Sequence, residues 1–215
     1  MTDLLNSDLD LSEFETDLAG LALSPDAQDL LFRDAHTAYA FTDEPVTDDQ
    51  VKAVYDLVKW APTAMNSQPL RVVLVRTPEA RRRLVQHMGG NNQARVAGAP
   101  LVAILAADVE FHDELQKTFP VVPGAREMFV GDDAARERSA RFSAALQAAY
   151  FLVGVRAAGL GAGPMTGFDA AGVDAEFFPH GDHKTLMVVN IGRTAGDGQR
   201  PRLPRLDFDE VVETA

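Results

Sequence analysis

The sequence predicts a single mixed domain, of the α+β or α/β class, with about four strands and five or six helices. Short apolar runs of strand length alternate with longer segments in which apolar residues recur at the helical period. Several of these helical segments begin with a capping residue that is followed by proline or an acid. The 215 residues, 46% hydrophobic and 24% charged, are sufficient for one globular domain with a full-sized core. The alternation taken alone would favour a parallel sheet.

The domain is expected to span residues 24–215, with residues 1–23 as an acidic addition in front of it. Ser12 and Glu15 form a capping-box pattern at the start of an amphipathic segment. We expect either a helical arm that packs on the domain or on a partner subunit, or a frayed acidic tail. The first residues lack a basic stretch followed by an apolar one, so no secretion signal is expected there.

Two helices are predicted ahead of the first strand. The run Ser24–Asp26 combines a cap, a proline and an early acid, and the helix it starts is expected to carry His36 and Thr37. Thr47 and Gln50 form a capping box at the start of the second helix. The helical period predicts five core-facing positions in this second helix: Val51, Val54, Tyr55, Val58 and Ala61.

A polar loop should join the second helix to the first strand, Arg71–Arg76. Pro62 should end the helix and Pro69 should begin the strand, because proline fixes its own φ and disfavours helix in the residue before it. Between them lie side chains that can donate and accept hydrogen bonds: Thr63, Asn66, Ser67 and Gln68. Such a pinned loop suits recognition of a flat heterocycle, although the same residues are common in ordinary turns.

The middle of the chain contains two further helices and a strand. A helix capped by Thr77 should run to about Met88, and a glycine-rich turn should lead to the strand Leu101–Ala106. Residues 110–131 show no period and either roof a pocket or form a surface excursion. The helix Ala134–Leu160 is nearly apolar in its second half, so it should be buried in the domain or between subunits. The first of these helices should present a solvated basic face: Arg81, Arg82 and Arg83.

The C-terminal third contains two glycine-rich segments. Gly159–Gly163 resembles a dinucleotide-binding fingerprint but follows a helix, so the phosphate geometry of that motif is not available. Gly163–Asp169 predicts a strand, a turn and then a helix that Asp169 caps. The last strand should be Thr185–Ile191. A basic tail, Arg200–Arg205, follows it in an otherwise acidic chain.

The loop segment Trp60–Arg71 resembles the flavin-contacting segment of the nitroreductase family of FMN oxidoreductases. The resemblance extends from Ser24 through most of the chain, and Pro164–Asp169 is similar to the Pro-x-x-Gly-Phe-Asp segment of that family. It is strongest for the branch named malonic semialdehyde reductase or NADH dehydrogenase/NAD(P)H nitroreductase. The resemblance implies a central mixed, largely antiparallel sheet flanked by helices in an intertwined homodimer. We prefer this implication to the parallel sheet.

The resemblance also implies which residues contact the flavin ring. Pro62 and Thr63 belong to the flavin-contacting loop, while Asn66 and Gln68 would hold the pyrimidine end and stabilise the anionic reduced ring. In the family, a backbone amide of the second segment reaches N5, where hydride arrives and leaves. Thr166 and Gly167 would serve N5 here, within a segment whose matching residues are Pro164, Met165, Thr166 and Gly167.

The remaining implied contacts are to the ribityl chain and the phosphate of FMN. An asparagine ahead of an Ala-Pro strand contacts the ribityl side, and Asn91 is the best match, with Asn92 one position away. His36 stands where the family has arginine, which weakens the anchor unless the basic tail compensates. Four side chains would hold the phosphate: His36, Thr37, Arg200 and Arg202.

The expected activity is therefore that of an FMN-dependent NAD(P)H oxidoreductase. Hydride would pass from NADH or NADPH through flavin N5 to malonic semialdehyde, a nitroaromatic or a quinone, in a ping-pong scheme without a catalytic side chain. The loss of arginine at position 36 leaves an alternative open, a non-catalytic flavin-binding or structural dimer of the same fold.

Composition excludes several other classes of function. A net charge of −12 argues against nucleic acid or an anionic membrane as a partner. The absence of cysteine excludes disulfides and thiolate chemistry and fits a cytoplasmic protein. His180 and His183 lack the supporting ligands of a metal site, so no metal is expected.

Overall fold

The computed structural model describes residues 21–196 and 202–215. The predicted arm of residues 1–23 therefore lies outside the described residues except for its last three, which are exposed. Arg200 also lies outside them. Within the described part of the chain, no helix is both long and apolar enough to cross a membrane.

The described residues form eight α-helices and four strands. The helices are α1 Pro25–Gln28, α2 Asp48–Val58, α3 Pro78–His87, α4 Asn92–Gly98, α5 Leu115–Thr118, α6 Asp133–Ala157, α7 Ala170–Phe177 and α8 Phe208–Val211. The strands are β1 Leu70–Val75, β2 Leu101–Asp108, β3 Gly161–Met165 and β4 His183–Gly192. The three strands predicted from apolar runs and the strand in Gly163–Asp169 are confirmed, with shifted ends.

The four strands form one sheet in the order β1-β2-β4-β3, and every neighbouring pair is antiparallel. The α+β class is confirmed, and the parallel sheet that alternation favoured does not form. The reason is that α3 and α4 return the chain to the end of the sheet where β1 stops, so Val75 pairs with Val102 at the start of β2. The one parallel pairing described is an isolated bridge between Thr37 and Ala162.

The central strand β2 is buried along its whole length. Leu101, Ala103 and Leu105 point into the layer that contains α2 and α6. Val102 and Ile104 point into the opposite layer, with α3, α4 and α7. Because side chains alternate between the faces of a strand, β2 joins two helical layers into a three-layer domain.

The N-terminal helix is shorter than predicted. After α1 the chain makes one π-helical turn, Asp29–Arg33, and then becomes extended. The expectation that His36 and Thr37 lie on a helix is therefore wrong. The amide of Ala38 donates to the carbonyl of Ala162 at 2.9 Å, so pairing with the edge of β3 replaces helical hydrogen bonds here.

Helix α6 buries one face and exposes the other. Ala144, Ala148 and Phe151 lie in the core, whereas Phe142, Leu146 and Tyr150, one turn apart, are 67%, 37% and 47% exposed. A single chain therefore does not bury this helix on all sides as its composition predicts. At the neighbouring α2, the capping box of Thr47 is confirmed, and Val54 in the helix and Ala61 beyond its end are buried. Tyr55 is 59% exposed, so its predicted core position is wrong.

Arg81 is a structural residue rather than part of a solvated face. Its Nη1 donates to the carbonyls of Val96 and Ala99 at 2.7 and 2.6 Å, and its Nη2 donates to Val75 at 3.2 Å. These bonds satisfy carbonyls at the ends of α4 and β1 that have no helical partner. Burial lowers the pKa of the Arg81 guanidinium.

A Gly154→Ala substitution should destabilise the fold, because Gly154 lies where α6 crosses α2. A Cβ there would stand 2.3 Å from Cγ1 of Val58 and 3.2 Å from Cγ1 of Val54. Valine is stiff in a helix, so relief requires a shift of the helices, and we expect a loss of about 1–3 kcal/mol.

Urea denaturation at one fixed protein concentration would measure this loss. Gly98→Ala is the matched control, because a Cβ at Gly98 meets nothing within 4 Å. Equal stability of the two variants would contradict the tight crossing of α2 and α6.

Candidate functional site

The polar loop between Pro62 and Pro69 has an unusual backbone. A 3₁₀ turn, Ala64–Asn66, forms its centre. Met65, Asn66 and Gln68 have φ of 53°, 49° and 46°. Each non-glycine residue in this left-handed region costs about 1–2 kcal/mol. Such strain persists only where the surroundings over-determine the backbone, and it clusters at functional sites.

A network of side chains holds this loop in place. Thr63 Oγ1 accepts from the amide of Gln68 at 3.3 Å, and Gln68 Nε2 donates to Asn66 Oδ1 at 3.0 Å. Asn66 Nδ2 in turn donates to the carbonyl of Thr118 at 2.7 Å. The segment 110–131 therefore contacts the loop at Thr118.

The end of the loop, where the chain enters β1, is held by contacts with β2 and α6. Arg71 Nη1 donates to the carbonyl of Gln68 at 2.9 Å, and Arg71 Nη2 pairs with Asp108 at 2.6 Å. Gln147 on α6 accepts from the amide of Leu70 at 2.9 Å. The position of Gln68 is thus set by both β2 and α6.

A second predicted segment forms a cleft at the other edge of the sheet. A Cβ at Gly163 would lie 2.6 Å from the carbonyl oxygen of Ala38, so only glycine lets the chain at Thr37 pack onto β3. We call the resulting depression the β3 cleft, and its lining residues are Thr37, Ala38, Tyr39, Asn92, Arg95, Gly163, Pro164, Met165 and Asn190.

The turn after β3 is fixed by two hydrogen bonds to the carbonyl oxygen of Gly167. This oxygen accepts from the amide of Gly89 at 2.9 Å and from Asn92 Nδ2 at 3.1 Å. Asp169 caps α7 as predicted, accepting from the amide of Gly172 at 3.1 Å. Asn92 rather than Asn91 lines the β3 cleft, because Asn91 stands exposed at the start of α4.

Asn190 is a site residue that the sequence did not single out. It is 3% exposed, and its Nδ2 donates to the carbonyl of Arg95 at 3.0 Å. Its buried Oδ1 has no hydrogen-bond partner among the described residues. A buried acceptor without a donor is costly, so Asn190 Oδ1 is available to accept a hydrogen bond from a group that enters the cleft. The signal for Asn190 that the sequence offered was a side-chain amide within an otherwise apolar strand.

A cationic depression adjoins the β3 cleft at Thr37 and Tyr39. We call it the basic cleft, and it is lined by Ala35, His36, Thr37, Tyr39, Arg156, Arg202, Leu203 and Arg205. Arg202 Nη2 donates to the carbonyls of Arg33 and, at 3.3 Å, Ala35, which brings this part of the C-terminal tail beside His36. No described lining residue is acidic, although the chain has a net charge of −12.

One chain does not bring all the predicted residues together. The β3 and basic clefts lie at the β3 edge, with Thr166 and Gly167 directly after β3. The loop with Pro62, Thr63, Asn66 and Gln68 precedes β1, at the opposite edge of the sheet. Three strand spacings separate these edges, a distance of about 14 Å.

This arrangement defines the class of protein: an α+β domain with a cationic cleft beside a sheet edge at which Gly163 permits close packing. The nitroreductase family model matches residues 33–193, and the chain belongs to the nitroreductase family. A Streptomyces griseus relative, provisionally named NADH dehydrogenase/NAD(P)H nitroreductase, is 62% identical over 194 residues, 90% of this chain and 98% of the relative.

Solved structures share the fold at lower identity. A nitroreductase family protein of Streptococcus pneumoniae matches with a TM-score of 0.73 at 22% identity, over 86% of this chain and 98% of its own. A provisionally named nitroreductase of Exiguobacterium sibiricum, solved in complex with FMN, matches with a TM-score of 0.78 at 18% identity, over 89% and 98%. These likenesses confirm the nitroreductase-like fold.

Gln68→Gly should leave the protein about 1 kcal/mol more stable than Gln68→Ala, because only glycine adopts a φ of 46° without strain. Both variants lose the same side-chain hydrogen bond to Asn66. Free energies of unfolding from urea denaturation would measure the difference.

The matched control is the same pair of substitutions at Gln93, in helix α4. There alanine should be the more stable by about 0.5–1 kcal/mol. If alanine is also favoured at position 68, the left-handed backbone of the loop is wrong.

Proposed function

We propose that this protein is an FMN-dependent NAD(P)H oxidoreductase that reduces a small acceptor. The observation that carries the proposal is the continuity of the two clefts, which places a cationic end and a glycine-lined end on either side of Thr37. That order suits a flavin mononucleotide, with its phosphate, its polyhydroxylated chain and its flat ring. Membership of the nitroreductase family and the FMN complex of the Exiguobacterium relative support the same cofactor.

The chain's own groups fit the three parts of this cofactor. Guanidinium groups match phosphate oxygens bidentately, and His36 and Arg202 would bind there with Thr37 and the predicted Arg200. The unpartnered Oδ1 of Asn190 would accept from a ribityl hydroxyl. Gly167, whose carbonyl is held by two donors, would present a fixed backbone to the ring edge, as would the preceding residues Pro164, Met165 and Thr166.

FMN, when bound, supplies the hydride chemistry by accepting hydride from NADH or NADPH and delivering it to the acceptor. The protein's part is to bind, orient and exclude water, so no acid or base side chain is assigned. Both substrates would use the same exposed face in turn, which gives ping-pong kinetics. We propose malonic semialdehyde, a nitroaromatic or a quinone as the acceptor, and the cytoplasm as the compartment of this cysteine-free chain.

We further propose that the active form is a homodimer in which each site takes residues from both chains. The loop carrying Asn66 and Gln68 precedes β1, whereas the β3 cleft lies at the other edge of the sheet, about 14 Å away across three strand spacings, so one chain does not bring both to the same ring. The exposed apolar stripe of α6, Phe142, Leu146 and Tyr150, offers a surface for a second copy. Residues 1–23, as an acidic extension of the domain, could pack on that partner.

The second candidate function is a flavin-binding protein without catalytic turnover. The observation that favours it is His36, which stands where the family's phosphate-binding arginine is expected. A weak anchor would allow flavin to be captured and released without reaction. Turnover separates the two candidates.

Purified, desalted protein should show the paired visible absorbance bands of flavin, at about one FMN per chain, and should oxidise NADH or NADPH when menadione or a nitrofuran is added. Initial rates with both substrates varied should give parallel double-reciprocal lines. Bound flavin without turnover on any acceptor would favour the binding protein. A colourless protein that takes up no added FMN would sink both candidates.

Mixed dimers should recover a site that two separate variants lose. Asn66→Ala/Gln68→Ala damages the loop, and Arg202→Glu damages the basic cleft, so each homodimer should be inactive. A mixed dimer, isolated with two affinity tags, would hold one intact and one doubly damaged site, and should show about half the wild-type activity. An inactive mixed dimer would mean that both segments act within one chain.

A further inference from the structure

We propose that Arg156 binds the phosphate of the cofactor and takes over the role of the arginine that is missing at position 36. This inference rests on the proposed function and extends it to a residue that neither the sequence motifs nor the family resemblance marks. Arg156 comes from helix α6, which contributes none of the predicted phosphate ligands.

The fold brings the end of α6 to the basic cleft. Arg156 lies in the last turn of α6, five residues before the chain enters β3 at Gly161. The extended segment with His36 packs on β3 through the hydrogen bond between Ala38 and Ala162. His36 and Arg156 consequently line the same depression from two different elements.

Arg156 has an unsatisfied polar group in this position. Its Nε is buried and has no hydrogen-bond partner in the described part of the chain. Burial lowers the pKa of the Arg156 guanidinium, and the positive charge of Arg202 lowers it further. An arginine that stays charged beside another arginine, with a buried donor unused, is an arrangement that an anion would stabilise.

The other two arginines of this cleft form hydrogen bonds to uncharged backbone carbonyls, so their positive charges are not neutralised. Arg202 donates to the carbonyls of Arg33 and Ala35, and Arg205 donates to those of Leu203 and Pro204. Carbonyls accept these hydrogen bonds but carry no net charge. Three guanidinium groups therefore meet without a carboxylate among the described lining residues, which suits a dianionic phosphate.

A purely structural role for Arg156 is the alternative. Arg156 also lines a second, separate depression, which contains Asp26, Asp29 and Asp34. However, Asp29 is already paired with Arg33 at 2.5 Å, and no ion pair within 4 Å joins Arg156 to a described acid. The helix dipole also stabilises a cation in the last turn of a helix, and this stabilisation needs no ligand.

The test compares FMN with riboflavin, which has the same ring and ribityl chain but no phosphate. Quenching of flavin fluorescence would give Kd values for both ligands with apoprotein of the wild type, Arg156→Ala and Arg156→Lys. Arg156→Ala should weaken FMN by about 10-fold to 100-fold and leave riboflavin unchanged, because charge-assisted hydrogen bonds to the phosphate are lost. Arg156→Lys, which keeps the charge without the fork, should lie between.

Arg83→Ala is the matched control, because it removes one positive charge on α3, where Arg83 pairs with Glu176. It should change neither Kd. Equal weakening of both flavins by Arg156→Ala, with a lower free energy of unfolding of the apoprotein, would assign Arg156 a structural role and overturn the inference. Unchanged FMN affinity would also overturn it. If the wild type binds neither flavin, the proposed function fails and the role of Arg156 is overturned with it.

Discussion

The constraint on which the structure depends is the complete burial of β2. A strand whose side chains are apolar on both faces must be covered on both faces, so helices pack above and below it. Two further strands flank it, and the sheet ends at β1 on one side and β3 on the other. The functional segments lie at these two ends, where the chain leaves the rigid sheet and its polar groups are not consumed by strand pairing.

The sequence predicts most of the local structure because the signals are local. Thr47 caps its helix through hydrogen bonds within one turn, and the prolines at 62 and 69 mark the limits of the polar loop. The wrong predictions occur where contacts between residues distant in sequence outweigh the local pattern. The chain at Thr37 leaves the helix because it pairs with the edge of β3. Tyr55 has the period of a core residue, but it is 59% exposed and lines a depression with Leu70 and Val72 of β1.

The residues of the candidate site also fall into those that a local motif reveals and those that only the fold reveals. The polar loop and the segment Pro164–Gly167 could be found as motifs, since their chemistry is contained in a few consecutive residues. Asn190 and Arg156 could not be found with the same ease, because each matters only through neighbours distant in sequence. The choice between Asn91 and Asn92 also needed the fold, since α4 turns one of them outward and the other towards Gly167.

The placement of the loop and the clefts at opposite edges of one sheet has a thermodynamic consequence. If two chains share each site, ligand binding and chain association are linked equilibria, and each must strengthen the other by the same factor. Cofactor affinity then has no single value, because it falls as the protein is diluted below the dissociation constant of the dimer. In a cell, flavin supply would set the fraction of assembled protein, and the amount of protein would set how firmly flavin is retained.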